Sequence, residues 1–282
     1  MKENRRFLNE IYSEKFLSNW ITPHTIFTSR RKINLKIENL FDIAIKNLNK
    51  EIVEVTDVGC YYGATIYYFL NKYAKKKILF YGIDIDDKKI DYAKKILKRV
   101  KEKKFRERVS FSKHNIEKTN LQHSSDIILC IETIEHVHNV LRSLQHMNNS
   151  LRKGGYLIIS TPNKNNTLKY FIPFRKKTKM RIEEPDKIKG GDAISGNLFN
   201  FHVVEKEEDK HWSVMTLEEI KTLLKKTGFN IIKIQRGPLV YGGSFFDNHP
   251  LLTSLLNVFD ELLTIFHVGK RTTYDFIIFA QK

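Results

Sequence analysis

Residues 51–70, EIVEVTDVGCYYGATIYYFL, decide the fold because they read as a buried strand, a glycine-containing turn and a helix in direct succession. The turn is Asp57-Val58-Gly59-Cys60-Tyr61-Tyr62-Gly63. Glycines at such a turn let the backbone pass close to a ligand, and the following helix presents unpaired N–H groups at its N-terminus. The stretch therefore predicts a cradle for a polar small molecule.

The alternation of strands and helices continues beyond this stretch. Further strands are predicted over residues 78–85, 108–116, 125–132 and 156–163, and helices over 64–76, 88–103 and 140–155, the last one ended by glycine. Alternation of this kind predicts βαβ units with right-handed crossovers. The expected fold is α/β, Rossmann-like and doubly wound, with a mostly parallel seven-stranded sheet.

The two ends of the chain extend this plan. Residues 1–47 are expected to form an N-terminal helical cap, and residues 48–282 one domain, with 164–212 as a lid or substrate-binding insertion after the fifth strand. Thr216 and Glu219 form a capping box that begins a helix ended by Gly228, and a strand over 230–237, a helix within 250–266 and a strand over 272–282 follow. On the helical cap, the apolar positions expected on one side are Leu35, Ile37, Leu40, Ile43 and Ile45.

Composition points to an ordinary globular protein of the cytoplasm. The chain has 282 residues, 41% of them hydrophobic, with no apolar run long enough to span a bilayer. The N-terminus lacks the continuous apolar region of a secretory signal. Cys60 and Cys130 each end an apolar run, which argues against a disulfide.

The formal net charge of +17 raises the idea of a nucleic-acid partner. The lysines are spread over most helical stretches, however, which is typical of solvated helix faces. A nucleic-acid partner therefore stays open but is not favoured, and nothing in the sequence indicates an oligomeric state.

Asp84 strengthens the prediction of a nucleoside-binding cradle. It ends the next strand in FYGIDID, at about the distance at which such α/β units place the acid that binds ribose hydroxyls. A dinucleotide would instead require G-x-G-x-x-G, and Tyr61 and Tyr62 occupy positions where glycine would be needed. NAD and FAD are therefore disfavoured.

With Asp57 ahead of the glycines, the turn resembles the first motif of class I S-adenosylmethionine-dependent methyltransferases, although Tyr61 replaces the central glycine. The resemblance continues over residues 50–163 through His114-Asn115-Ile116-Glu117, the fourth-strand segment 125–130 and Gly154-Gly155. It implies S-adenosylmethionine as the cofactor. The residues it assigns to cofactor binding are Asp57, Gly59, Cys60, Tyr61, Gly63, Asp84, Ile85, Asn115, Ile116, Cys130 and Ile131.

The segment after the fourth strand, Ile131-Glu132-Thr133-Ile134-Glu135-His136-Val137-His138, is the candidate for chemistry. In an open parallel sheet it would lie beside the cofactor, and on a helix Glu132, Glu135 and His136 would share a face. These three are the candidate catalytic residues, with His136 as general base or polariser. They are also a candidate site for Mg²⁺, Mn²⁺ or Zn²⁺.

The E-x-x-E-H pattern resembles two branches of the family: the ubiquinone-biosynthesis O-methyltransferases, with the related type 11 and 12 group, and the RNA 3′-terminal 2′-O-methyltransferases. In the second branch a further histidine completes a metal site, and this resemblance implies His211 as a distant fourth ligand beside Glu132, Glu135 and His136. The expected activity is methylation of a hydroxyl, or less favourably an amine, of a small molecule such as a sugar or a quinone or phenol precursor. Two alternatives stay open, a metal-dependent RNA 2′-O-methyltransferase and a non-catalytic subunit that binds S-adenosylmethionine.

Overall fold

The computed structural model of the protein describes residues 29–166, 211–237 and 273–282, together with helical residues at 251, 255–256, 258–260 and 262. Most of the expected lid and the first 28 residues of the expected cap lie outside the described residues. The domain boundaries drawn from the sequence therefore stay predictions.

Seven strands form one mixed sheet in the order β3-β2-β1-β4-β5-β7-β6. Strand β7 runs antiparallel to both of its neighbours, and the other described pairs are parallel. The predicted doubly wound, mostly parallel sheet is confirmed. The strands are β1 Ile52–Val58, β2 Lys77–Asp84, β3 Val109–Lys113, β4 Ser125–Ile131, β5 Leu151–Pro162, β6 Asn230–Arg236 and β7 Asp275–Gln281.

Helices cover both faces of the sheet because the central strands carry apolar side chains on both sides. On β4, Ile127 and Leu129 join the core with α1, α2 and α3, whereas Ile128 and Cys130 join the core with α5 and α6. Of the described helices, none is both long and apolar enough to cross a bilayer. The helices are α1 Ser29–Leu48, α2 Ala64–Lys72, α3 Asp87–Arg99, α4 Lys103–Arg106, α5 Val140–Ser150 and α6 Leu217–Lys226.

The buried side of α1 differs from the one expected. Ile37, Leu40 and Ile45 are buried as predicted, but Ile43 is exposed and Leu35 is only partly buried. The helix spans Ser29–Leu48, and its buried side begins at Ile33, two residues before the first apolar position of the predicted side, Leu35. From Ile33, steps of three and four lead through Ile37 and Leu40, which is the helical period.

The end of α5 was also wrongly predicted. The helix ends at Ser150, and Gly154 and Gly155 lie inside β5. Gly154 has a φ of 77°, and the pairing of β5 with β4 shifts register in this region. A glycine with positive φ suits a strand irregularity as well as a helix end, so the sequence signal was ambiguous.

The strand order places the candidate site. The chain passes from β1 outward through β2 to β3, then returns to β4 on the other side of β1. A crevice forms outside the carboxyl ends of the strands at such a switch point, and ligands of open α/β sheets bind there. The turn after β1, Asp84 at the end of β2 and the segment after β4 all meet at this edge.

Candidate active site

The turn after β1 is fastened to the end of β2. The backbone N–H groups of Gly59 and Cys60 donate to the carbonyl oxygen of Ile83 at 2.8 and 2.9 Å. The N–H of Gly63 then donates to the carbonyl of Cys60 at 2.8 Å, and α2 begins directly afterwards with no side-chain cap on its first N–H groups. The turn thus has a fixed shape and leads into an uncapped helix N-terminus, which favours an anionic group.

Close packing requires glycine at two positions of this turn. A Cβ on Gly59 would lie 2.4 Å from the Thr133 side chain, and one on Gly63 would lie 2.6 Å from the ring of Phe111. Both glycines also have positive φ, 72° and 82°. These glycines let the turn approach the neighbouring segments of the site.

Tyr61 adopts the conformation that a glycine would adopt. Its φ is 53°, in the left-handed region that non-glycine residues seldom occupy. Its ring contacts the ring of Tyr62, with centroids 4.0 Å apart, and the ammonium of Lys89 lies 4.8 Å from its centroid. Tyr61 therefore occupies a backbone torsion that is open to the glycine it replaces in the motif.

Asp84 is held as a buried acceptor at the end of β2. Its Oδ2 accepts the N–H of Tyr61 and its Oδ1 accepts the N–H of Asp86, both at 3.0 Å. Burial raises the pKa of Asp84, while the positive charge of Lys89 and the two hydrogen bonds act to lower it. Each carboxylate oxygen has a second lone pair, so Asp84 can still accept from two ligand hydroxyls.

Asp57 is a buried acid at the end of β1. Burial, followed by the charge of Asp84, raises the pKa of Asp57 to about 8. No described residue forms an ion pair with it. A cationic ligand group placed here would favour the ionised carboxylate.

The remaining predicted cofactor-binding residues differ in the solvent exposure of their side chains. Ile85 is 51% exposed beside Asp84, and Ile131 is partly buried at the end of β4. The side chains of Ile116 and Cys130 are buried in the core, and Asn115 uses Oδ1 to accept the N–H of Glu117 at 2.9 Å. Of these five, Ile85 offers the most apolar side-chain surface to a ligand.

Glu132 is hydrogen-bonded to Ser160 on β5. Its N–H donates to the carbonyl of Ser160 at 3.0 Å, and its Oε1 accepts the Ser160 hydroxyl at 2.7 Å. Its φ of 50° is left-handed, and only Ile134–His136 form a short 3₁₀ turn before α5 begins at Val140. The expected helical face through Glu132, Glu135 and His136 is therefore wrong.

A compact group of potential metal ligands forms nevertheless. Donor atoms of Glu135, His136 and His211 all lie within 4.8 Å of one another, and Glu132 is not in this group. Glu135 is fully buried and its Oε2 accepts the Thr161 hydroxyl at 3.0 Å. We call these three residues the Glu-His-His group.

Backbone contacts bring His211 to this place. The N–H of Ser213 donates to the carbonyl of Glu135 at 2.9 Å, and the Ser213 hydroxyl donates to the carbonyl of Val137 at 2.7 Å. The ring of Trp212 contacts that of His138, with centroids 4.6 Å apart. The chain thus returns from the insertion directly onto the loop that follows β4.

Sequence reasoning missed the hydroxyls that hold the two glutamates. Ser160 and Thr161 end β5, next to β4 in the sheet, and each donates to one glutamate. The signal was present in the segment STPN, because the carboxyl ends of adjacent parallel strands share one edge. Nothing in the sequence indicates that Thr133 packs on Gly59.

Comparison with known families identifies the family of the chain. A family model described as a methyltransferase domain matches residues 28–234, well over half of the chain. The chain belongs to this methyltransferase family. A search of curated protein sequences finds no match to it.

Solved structures with the same fold carry several activities. The methyltransferase is 14% identical to magnesium protoporphyrin IX methyltransferase from Synechocystis with bound SAH (TM-score 0.51, 100% of this chain and 95% of that one). It is 14% identical to the CurJ carbon methyltransferase (0.52, 94% and 57%) and 13% identical to the cyclase SpnF (0.51, 87% and 81%). Identities this low show the fold alone, so they leave the acceptor of the methyl group undetermined.

S-adenosylmethionine is the cofactor of this methyltransferase, and the residues present suit it. The carboxylate of Asp84 would suit ribose hydroxyls, and the exposed Ile85 offers apolar surface beside it. Asp57, whose pKa is raised to about 8, suits a cationic amine. The uncapped start of α2 suits a carboxylate.

Proposed function

We propose that this methyltransferase transfers the methyl group to a hydroxyl of a small molecule, such as a sugar or a quinone or phenol precursor. The observation that carries the proposal is the Glu-His-His group, which lies at the carboxyl end of β4 beside the cofactor cradle. A hydroxyl is a poor nucleophile until its proton is removed or its oxygen binds a cation, whereas an amine needs less help. An imidazole and a carboxylate at this edge supply the first kind of help, and three ligands supply the second.

When bound, S-adenosylmethionine supplies an electrophilic methyl group on a sulfonium. The cradle residues Asp57 and Asp84 would hold and orient it, in a turn whose shape depends on Gly59 and Gly63. Because transfer is an in-line displacement, alignment of the acceptor oxygen with the methyl group is the largest contribution expected from the protein. The protein must then deal with one proton on the acceptor oxygen.

His136 accepts that proton in the simplest form of this proposal. Its Nε2 lies 4.0 Å from Oε1 of Glu135, so an imidazolium formed during the reaction would be stabilised by the buried carboxylate. In the second form, Glu135, His136 and His211 hold a divalent cation such as Mg²⁺, Mn²⁺ or Zn²⁺, which lowers the pKa of the acceptor hydroxyl.

RNA 2′-O-methylation is the second candidate function. It is favoured by the net charge of +17 and by exposed basic side chains along α3 and α4. Two of these side chains form exposed ion pairs, Lys103 with Glu107 and Lys104 with Glu102. Most of the basic side chains on α3 are exposed without such a pair, so this surface is the observation that favours the second candidate.

The experiment that tests the proposal is a screen of candidate acceptors with methyl-labelled S-adenosylmethionine, run with and without Mn²⁺ and after chelation. Label should enter hydroxyl-bearing small molecules, and the product should be a methyl ether by mass spectrometry. Transfer to RNA that falls steeply with salt would favour the second candidate. Cofactor binding without transfer to any acceptor would contradict both and favour a regulatory subunit.

A further inference from the structure

Lys89 lies beside the cofactor cradle at a position where a helix does not favour a basic residue. The first turn of α3 begins Asp87, Lys88, Lys89, after Asp86 as the N-cap. The N-terminus of a helix carries partial positive charge, so acidic side chains are favoured there and basic ones are not. A capping box would place Glu or Gln at the third helical position, which Lys89 occupies. The reason for a lysine at this position therefore lies outside the helix.

The ring of Tyr61 receives the ammonium group of Lys89. The two lie 4.8 Å apart, measured from Nζ to the ring centroid. A cation within about 6 Å of the centroid is attracted to the face of an aromatic ring. Tyr62 links the same two segments, because its ring contacts that of Tyr61 at 4.0 Å and that of Tyr92 on α3 at 4.7 Å between centroids. These contacts place Lys89 against the turn that follows β1.

Asp84 joins the same two segments through hydrogen bonds. Its carboxylate accepts the N–H of Tyr61 in the turn and the N–H of Asp86 at the start of α3, both at 3.0 Å. Lys89 follows Asp86 by three residues on the chain. Burial raises the pKa of Asp84, and the positive charge of Lys89 is the strongest of the effects that lower it.

The other titratable groups that act on Asp84 from the turn and the strand ends do not supply positive charge. Asp57 at the end of β1 and Asp86 are acids, and the charges of Asp57 and Asp84 oppose each other. Burial raises the pKa of the Cys60 thiol well above its usual range, so Cys60 is neutral. Two carboxylates thus share a buried site, which disfavours the charged form of both.

Strand β3 packs along the other side of β2 and carries two basic groups near Asp84. Lys113 pairs with Asp84 in the strand register, but its ammonium forms an exposed ion pair with Asp87. The ring of His114 lies 3.2 Å from the carbonyl oxygen of Thr119, measured from Nε2. Both side chains are engaged elsewhere, so among the described residues Lys89 is the cation that acts most strongly on Asp84.

We propose that Lys89, held over the Tyr61 ring, keeps the carboxylate of Asp84 negatively charged so that it accepts both ribose hydroxyls of the cofactor. An ionised carboxylate only accepts hydrogen bonds, whereas a protonated one carries a hydrogen on one oxygen and loses part of its capacity to accept. Lys89 is thus a positioning residue that acts through Asp84. The inference rests on the cofactor cradle around Asp84 described above.

Calorimetric titration of the full chain with S-adenosylhomocysteine, between about pH 5 and pH 9, tests the proposal. Lys89→Met removes the charge and should raise the pKa of Asp84. Its affinity should therefore be about tenfold below that of wild type near pH 5 and within about twofold of it near pH 9. Groups of the ligand titrate alike with both proteins, so the ratio of the two affinities at each pH reports the effect of Lys89. Near-normal affinity near pH 9 also establishes that the variant folds.

Two further variants are matched controls. Lys89→Arg keeps the charge and should bind like wild type at every pH. Lys98→Met removes a charge from an exposed site on the same helix, nine residues or about 13 Å farther along its axis, and should also match wild type. Tyr61→Leu removes the ring that holds Lys89, so its affinity near pH 5 should fall by about two- to fivefold. Wild-type affinity of Tyr61→Leu near pH 5 would overturn the role of the ring.

A double variant separates this role from direct contact between Lys89 and the ligand. Asp84→Asn has no carboxylate to keep ionised, so adding Lys89→Met to it should change the affinity near pH 5 by less than about twofold. Equal affinities of wild type and Lys89→Met near pH 5 would overturn the proposal. A loss that is the same at every pH, or that persists in Asp84→Asn, would overturn it too. Absence of binding to wild type would instead contradict the cradle itself.

Discussion

The imidazole rings of His136 and His211 meet edge to face, with ring centroids 4.7 Å apart, although the whole insertion separates them in the chain. In the metal-dependent form of the proposal His211 is a ligand, so His211→Ala should lower the rate of methyl transfer to a hydroxyl acceptor by at least about 10- to 100-fold, the range that loss of an outer-shell partner of a metal already produces. The rate is measured with labelled cofactor at saturating acceptor.

His138→Phe is the matched control for this prediction, because it removes an imidazole but keeps an aromatic ring against Trp212. His138 lies two residues from His136 but outside the Glu-His-His group, so its variant should keep a rate close to that of the wild type. If the metal-dependent form holds, chelation should abolish wild-type activity and added Mn²⁺ should fail to stimulate His211→Ala. Equal rates for wild type and His211→Ala would remove this residue from the mechanism.

Asp57 should make the protein without cofactor less stable as pH rises. The native pKa of about 8 exceeds the ordinary 3.8, so the native state binds the proton more tightly than the unfolded state between those values. The free energy of unfolding should therefore fall from about pH 4 to pH 8 at this site, by about 1.4 kcal/mol per unit of pKa difference. Asp57→Asn should be more stable than wild type above pH 8 in urea unfolding, with no advantage near pH 4.

Asp126→Asn provides a control of opposite sign. Burial alone would raise the pKa of Asp126, but hydrogen bonds from Lys50 and the Glu54 amide, with the charge of Arg152, lower it overall. That carboxylate stabilises the fold above its unfolded pKa, and the contribution is lost in acid. Asp126→Asn should therefore be less stable than wild type at neutral pH.

The outcome that would contradict the prediction for Asp57 is a free energy of unfolding that changes in parallel for wild type and Asp57→Asn between pH 4 and pH 8. The pKa of Asp57 would then be the same in the native and unfolded states.

Tyr61 should reveal the torsional cost of its left-handed backbone. Tyr61→Gly and Tyr61→Val both remove the ring contacts with Tyr62 and Lys89, but only the valine variant places a side chain, and a β-branched one, at a φ of 53°. The valine variant should be less stable than the glycine variant by about 1–2 kcal/mol in urea unfolding. No difference between them would mean that the turn takes another shape in solution.

Gly59→Ala should be more damaging than its torsion alone explains. The new methyl group would lie 2.4 Å from the Thr133 side chain, so one segment of the site must move. Gly154→Ala is the control, because Gly154 has a similar φ of 77° but its nearest neighbour would be 3.9 Å away. The control should lose about 1–2 kcal/mol, and Gly59→Ala more than that. Thr133→Ala should partly restore Gly59→Ala, and failure to do so would place the cause elsewhere.

Much of this fold could be predicted because its elements follow local rules. The capping box of Thr216 and Glu219 forms as expected, with the Thr216 hydroxyl accepting the N–H of Glu219 and the Glu219 carboxylate accepting that of Thr216. The turn from Asp57 to Gly63 and the place of Asp84 follow from strand alternation and the strand-to-helix turn. Neighbours in sequence decide the capping box, whereas the turn is predictable as a strand-to-helix pattern and is then fastened by the carbonyl of Ile83.

The wrong predictions concern residues whose conformation depends on distant partners. Glu132 leaves the helical path because β5 offers it both the carbonyl and the hydroxyl of Ser160. Gly154 lies in a strand because β4 pairs with β5 on both sides of it, at Leu151 and at Tyr156. His211 was singled out only by family resemblance, and the hydrogen bonds of Ser213 that bring it to Glu135 have no signature in sequence.

The central claim is that the cradle around Asp84 binds S-adenosylmethionine, and calorimetric titration with S-adenosylhomocysteine tests it most directly. Wild type should bind one molecule per chain. Asp84→Asn should bind about 10- to 100-fold more weakly because it loses charged hydrogen bonds, and Asp91→Asn, at an exposed site on α3, should match wild type. Absence of binding to wild type, or equal affinities for wild type and Asp84→Asn, would contradict the claim.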